Sequence, residues 1–99
     1  MAYEKMKKTL TALASEYSLK RVTLFGSRAD GTYHDGSDID LIIEFFRPVS
    51  LLFISALKCR LEDEWGLHVD IVHGPIQEDD LIEVGTEVEL YAAINWNQY

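Results

Sequence analysis

Phe25-Gly26-Ser27-Arg28-Ala29-Asp30-Gly31, followed after a short loop by Ser37-Asp38-Ile39-Asp40-Leu41-Ile42-Ile43-Glu44, decides how this chain is read. A Gly-Ser turn closes one apolar strand, and two carboxylates stand two residues apart on the next. Successive side chains of a strand point to opposite faces, so Asp38 and Asp40 project the same way, about 6.5–7 Å apart along the chain. Two acids on one face repel unless a cation lies between them. A Gly-Ser turn offers backbone N–H groups and a hydroxyl suited to phosphate oxygens. Together these features imply metal-assisted chemistry on a nucleoside triphosphate.

Working outward, Arg21-Val22-Thr23-Leu24-Phe25 reads as a strand of β-branched and aromatic residues, ended by Gly26. Before it, Met6, Leu10, Leu13 and Tyr17 form one helical stripe over Tyr3–Tyr17. Ser27–Gly31 is a short helical turn, Thr32–Gly36 a polar loop and Ser37–Phe45 the second strand. Ile42 and Ile43 make that strand apolar on both faces, which places it inside a sheet. Ser50 is a plausible N-cap for a helix over Leu51–Trp65, with Leu51, Ile54, Leu57, Leu61 and Trp65 as its buried stripe and Gly66 at C′. Leu67–Val72 is a third strand, Gln77–Val84 a short acidic helix, Val88–Ala92 a last strand and Asn95–Tyr99 an aperiodic tail. The expected fold is α+β, with alternating helices and strands and one small mixed sheet.

At 99 residues the chain reads as a single domain over 1–99, near the lower size limit for folding on one core. Its start, Met1–Lys8, is charged and amphipathic rather than a signal peptide, and no apolar run reaches membrane-spanning length. The single cysteine, Cys59, forms no internal disulfide, and no Cys/His cluster points to zinc, so a reducing cytoplasm is the expected setting. The formal charge of −8 argues against a protein that grips a nucleic-acid backbone. Arg60 is the last basic residue, while ten acids follow it, from Glu62 to Glu89. That asymmetry is either a solvated surface or a face for a basic protein partner.

A third carboxylate, Asp70, interrupts the apolar run Val69-Ile71-Val72, where an unpartnered charge is costly. If the third strand lies beside the second, Asp38, Asp40 and Asp70 converge. Magnesium takes oxygen ligands and keeps substrate phosphates among them. Two such ions roughly 3.5–4 Å apart can clamp both oxygens of an in-line displacement. His68 shares the strand face of Asp70, but an exposed or structural histidine is the commoner case. His34, in the loop between the two motif halves, could approach a nucleotide; an exposed loop residue is the plainer alternative.

Gly26-Ser27-x-Ala29-x-Gly31, then Ser37-Asp38-Ile39-Asp40-Leu41 and the later Val69-Asp70-Ile71-Val72, resembles the polymerase-beta-like nucleotidyltransferase superfamily. Within it, the small size and element order resemble the minimal nucleotidyltransferases, or MNT domains. The resemblance runs from the first helix to about Tyr91. It implies that Gly26 and Ser27 hold the triphosphate. It also implies that Asp38 and Asp40 bind magnesium, in two ions, and that Asp70 completes the catalytic metal site. Many relatives carry arginine immediately before the second glycine, where this chain has Asp30; Arg28 is the candidate to take over that phosphate contact.

The resemblance further implies transfer of AMP from ATP to a hydroxyl. The chain has no residues for the extra substrate domain of larger relatives, so the acceptor is expected on another chain. MNT domains are typically paired with a helical HEPN protein, often an RNase toxin, and act as antitoxins. The expected partners are therefore ATP and a HEPN protein in a hetero-oligomer, with no direct nucleic acid and no membrane. Two rival readings stand beside this one: a binding module that neutralises its partner by occlusion, and a small-molecule nucleotidyltransferase that builds its site across a homodimer.

Overall fold

Alternating burial along the two central strands sets the architecture. Leu19–Phe25 forms β1 and Ile39–Phe45 forms β2, paired antiparallel with Leu24 opposite Leu41 and Phe25 opposite Asp40. Ile39, Leu41 and Ile43 are fully buried on one face of β2, and Asp40 and Glu44 take the other. β3 (Val69–His73) runs parallel to β2, and β4 (Val88–Ala92) antiparallel to β1, giving the order β3-β2-β1-β4. The sheet is mixed and β2 lies inside it, as the apolar pair Ile42-Ile43 requires. The computed structural model describes residues 1–75 and 86–93, so the acidic helix expected at Gln77–Val84 and the tail Asn95–Tyr99 lie outside the described residues.

Helices α1 (Tyr3–Leu13), α2 (Ser27–Asp30) and α3 (Leu51–Trp65) complete the described elements. Met6, Leu10 and Leu13 of α1 and Leu57, Leu61 and Trp65 of α3 share one core with the apolar face of β1 and β2. Each fully buried aliphatic side chain there contributes roughly 1.5–3 kcal/mol. The Trp65 indole N–H donates to Thr9 Oγ1 at 3.1 Å, tying the two long helices together. Among the described residues no helix is long and apolar enough to cross a membrane.

Several boundaries depart from the sequence reading: β1 starts at Leu19 rather than Arg21, and β3 spans Val69–His73 rather than Leu67–Val72. α1 ends at Leu13, and a turn over 14–18 closed by Ser18, at a left-handed φ of 54°, leads the chain into β1. Tyr17 stays buried all the same, its N–H still bonded to Leu13 O. β2 begins at Ile39 rather than Ser37, which leaves Asp38 just ahead of the strand. α3 has the expected ends, with Ser50 Oγ accepting from Phe53 N–H at 3.1 Å and Gly66 left-handed at φ 67°. Its first turn faces the other way, however. Leu51 and Leu52 are each 83% exposed, whereas Phe53 packs edge-on against Tyr17 and Phe45. The inward stripe is therefore Phe53-Leu57-Leu61-Trp65, because the aromatic contacts at Phe53 turn Leu51 outward.

Candidate active site

The sheet face opposite the helices carries the acids. The parallel register sets Asp40 directly beside Asp70, and neighbours in register share a face. Asp38 joins them from the loop: ligand atoms of Asp38, His68 and Asp70 all lie within 4.8 Å of one another. Asp40 stands outside that triplet yet responds to it. Its carboxyl is pushed above the ordinary 3.8 by burial first and then by the charges of Asp70 and Asp38, with His68 acting the other way. Thus the structure brings together all three carboxylates singled out in the sequence.

Opposite them sits the turn. Gly26, at φ +75°, joins β1 to α2 in a conformation that side chains resist, and a β-carbon there would stand 2.6 Å from Asp40 Oδ2. Ser27, His34, Gly36, Ser37, Asp38 and Asp40 line a cavity of about 370 Å³ between turn and strand. Ser27 thus faces the same space as Asp38 and Asp40.

Arg28 lies apart from Ser27. It is 2% exposed, and its Nε and Nη2 donate to the carbonyls of Ser37 at 3.0 Å and Asp35 at 3.1 Å. Tyr33 covers the guanidinium, with its ring centroid 4.7 Å from Cζ. The side chain ties the Thr32–Ser37 loop to α2 and so sets where the chain enters Asp38. Asp30, the departure from the family pattern, accepts from Thr32 N–H at 2.9 Å and Thr32 Oγ1 at 2.6 Å.

One link escaped the sequence reading. His68 reaches a carboxylate on each side: Nδ1 lies 2.9 Å from Glu62 Oε2 and Nε2 lies 3.3 Å from Asp70 Oδ1. Glu62 Oε2 also accepts from Val69 N–H at 2.9 Å, anchoring the start of β3 to the end of α3. The contact joins residues on either side of the left-handed Gly66, and no local pattern in the sequence announces it.

The donor set suits a divalent metal on two observations. Hard cations take carboxylate oxygen, which Asp38, Asp40 and Asp70 supply. The upward push on Asp40 comes first from burial and then from the charges of Asp70 and Asp38, and a cation held among the three acids would relieve that second part.

The sequence profile of the family described as nucleotidyltransferase domain matches residues 6–96. The chain belongs to that family. This nucleotidyltransferase is 33% identical, over 90 residues, to a Methanocaldococcus jannaschii protein provisionally named a protein adenylyltransferase, covering 82% of this chain and 92% of that one. Two solved structures share the fold. One is a toxin–antitoxin complex with AMP-PNP, superposing at a TM-score of 0.68 with 22% identity, over 94% of this chain and 75% of that one. The other is a tri-AMPylated Shewanella oneidensis HEPN toxin in complex with an MNT antitoxin, at a TM-score of 0.62 with 16% identity, over 93% and 74%. The expected fold, a minimal nucleotidyltransferase with a mixed sheet and helices packed on it, is the fold observed.

Proposed function

We propose that this nucleotidyltransferase moves AMP from ATP to a hydroxyl on a HEPN-type partner protein, as the antitoxin of a toxin–antitoxin pair in the cytoplasm. The observation that carries the reading is the meeting of Asp38, Asp40 and Asp70, with Asp38 and Asp40 lining one cavity with Ser27. The M. jannaschii relative and the AMPylated HEPN complex support the choice of nucleotide and acceptor.

Asp38, Asp40 and Asp70 would hold magnesium, in one or two ions. When bound, such ions supply neutralisation of charge on the α-phosphate and the pyrophosphate. Ser27 and the backbone at Gly26 would seat the triphosphate. Asp70 would take the proton of the attacking hydroxyl as the new bond to the α-phosphorus forms and the bond to pyrophosphate breaks. The other residues act by positioning: Arg28 holds the loop that delivers Asp38, and His68 holds Asp70 against Glu62.

An RNase must present a basic surface to RNA, which the acidic stretch after Arg60 would complement. Charge reversal at Glu78, Asp79 and Asp80 is then expected to weaken binding, and added salt to do the same. Incubation with labelled ATP, magnesium and the co-purified partner, followed by intact-mass measurement, tests the proposal. One or more AMP units on the partner is the expected result, and an unchanged mass removes the reading.

Asp30 favours a second reading. An acid in place of an arginine, with its carboxylate spent on Thr32, removes one phosphate contact and fits neutralisation by occlusion. Asp38→Asn separates the two. Neutralisation lost while the partner still binds supports transfer; neutralisation retained supports occlusion.

A further inference from the structure

The loop between the two halves of the motif is held more firmly than its composition suggests. Arg28 binds its carbonyls at Asp35 and Ser37 from below. Within the loop, His34 N–H donates to Ser37 Oγ at 2.9 Å, and Ser37 N–H returns a bond to His34 O at 2.9 Å. The imidazole itself is also oriented. Gly36 N–H donates to His34 Nδ1 at 3.2 Å, so Nδ1 is an acceptor and the ring proton resides on Nε2. His34 is exposed, and the space it faces is the cavity shared by Ser27, Asp38 and Asp40.

We infer that His34 is a phosphate-binding residue of this site, its Nε2–H donating to an oxygen of the bound triphosphate. The inference rests on the nucleotide reading above and adds to it a donor from the loop. A nitrogen that carries a proton cannot ligate a cation, so the Gly36 bond directs His34 to the anionic substrate rather than to a metal. The position also makes chemical sense. Asp30 supplies no cation, and the guanidinium of Arg28 is engaged by the loop, so a donor in the cavity that Ser27, Asp38 and Asp40 line restores a favourable contact with phosphate. Ser37 fixes the backbone of His34 and Gly36 orients its ring before the nucleotide arrives, which lowers the entropy lost on binding.

Calorimetry on the full chain with magnesium and ATP, and separately with magnesium and inorganic tripolyphosphate, tests this. His34→Ala is expected to weaken both about tenfold, the loss of one hydrogen bond to a charged group. His34→Gln, which keeps a donor near the position of Nε2, is expected to recover part of that loss. Unchanged melting temperatures for both variants exclude a folding defect. Equal affinities for wild type and His34→Ala overturn the inference while leaving the nucleotide reading intact. Weakened ATP with unaltered tripolyphosphate would place His34 on the base and also overturn it. A fall in affinity for Mn²⁺ alone would make it a metal ligand, with the same consequence. A wild-type chain that binds neither probe removes the nucleotide reading and this inference with it.

Discussion

The carboxylate of Asp40 occupies the space that a side chain on Gly26 would need: a β-carbon there would meet Oδ2 at 2.6 Å. The glycine of the Gly26-Ser27 turn and the acid on the strand are thus one steric unit. Gly26→Ala faces the φ of +75° as well as the contact. A side chain in this glycine-only backbone region costs about 1–3 kcal/mol, or roughly 4–24 °C in melting temperature for a domain of this size. Because Asp40 must also move, transfer of AMP is expected to fall at least about tenfold, consistent with misplacement at a reacting centre. Thermal melts and AMP incorporation into the partner measure the two effects.

Asp40 carries the charge conflict of the site, and its sign is testable. In the folded chain its carboxyl holds the proton to a higher pH than in the unfolded chain, through burial and then through Asp70 and Asp38. Stability is therefore lost as pH rises from 3.8 through the raised folded value, and the loss persists at neutral pH. Asp40→Asn in metal-free buffer is expected to melt at or above the wild-type temperature at pH 7, with the difference closing on acidification. Millimolar Mg²⁺ with ATP should raise the wild-type melting temperature by mass action and leave the variant nearly unmoved. Melts across pH and magnesium concentration read both outcomes; a wild-type curve that ignores Mg²⁺ and ATP would falsify the metal assignment.

Much of this arrangement is readable from residue pattern. Period-two alternation places Asp40 by a local rule, whereas Asp38, expected on the same strand, lies just ahead of it, and Ser50 and Gly66 mark both ends of α3 through capping chemistry. Asp70 stands out as the one acid in an apolar run, although its side chain is half exposed rather than buried as that pattern implied. Contacts that depend on how elements pack are not visible in this way. Leu51 looks like core by spacing, yet the rings of Tyr17 and Phe45, distant in sequence, draw Phe53 inward in its place. Arg28 is the candidate for the phosphate contact that Asp30 cannot make, but its guanidinium is held by the carbonyls of Ser37 and Asp35, which no local pattern announces. Glu62 and His68 meet only because the chain reverses at Gly66.

The burial of Arg28 predicts an effect that its charge alone would not. Two donors at fixed angles hold two carbonyls, which a lysine ammonium cannot reproduce. Arg28→Lys is expected to cost about 2–3 kcal/mol, the range for lost hydrogen bonds to a charged group. Transfer should fall with it, because the loop that delivers Asp38 is no longer anchored. Hydrogen exchange of the amides at 34–38 distinguishes this from loss of a phosphate contact. Faster exchange in the nucleotide-free variant supports anchoring, whereas wild-type exchange with weaker ATP binding assigns Arg28 to phosphate.

Glu62 should influence the site without touching the substrate. Its carboxyl lies below the usual range chiefly because Val69 N–H donates to it, with smaller contributions from the charges of His68 and Lys58. The stability it lends is present above 4.5 and lost as pH falls through the depressed folded value. Glu62→Gln keeps an oxygen for Val69 but removes the charge that orients His68 toward Asp70. A several-fold drop in kcat with KM for ATP unchanged is expected, since Asp70 is the group misplaced. In a His68→Ala background the same substitution should have no further effect on kcat, because the connection to Asp70 is already broken. Independent, multiplying losses in the double variant would show that Glu62 acts on the site by some other route.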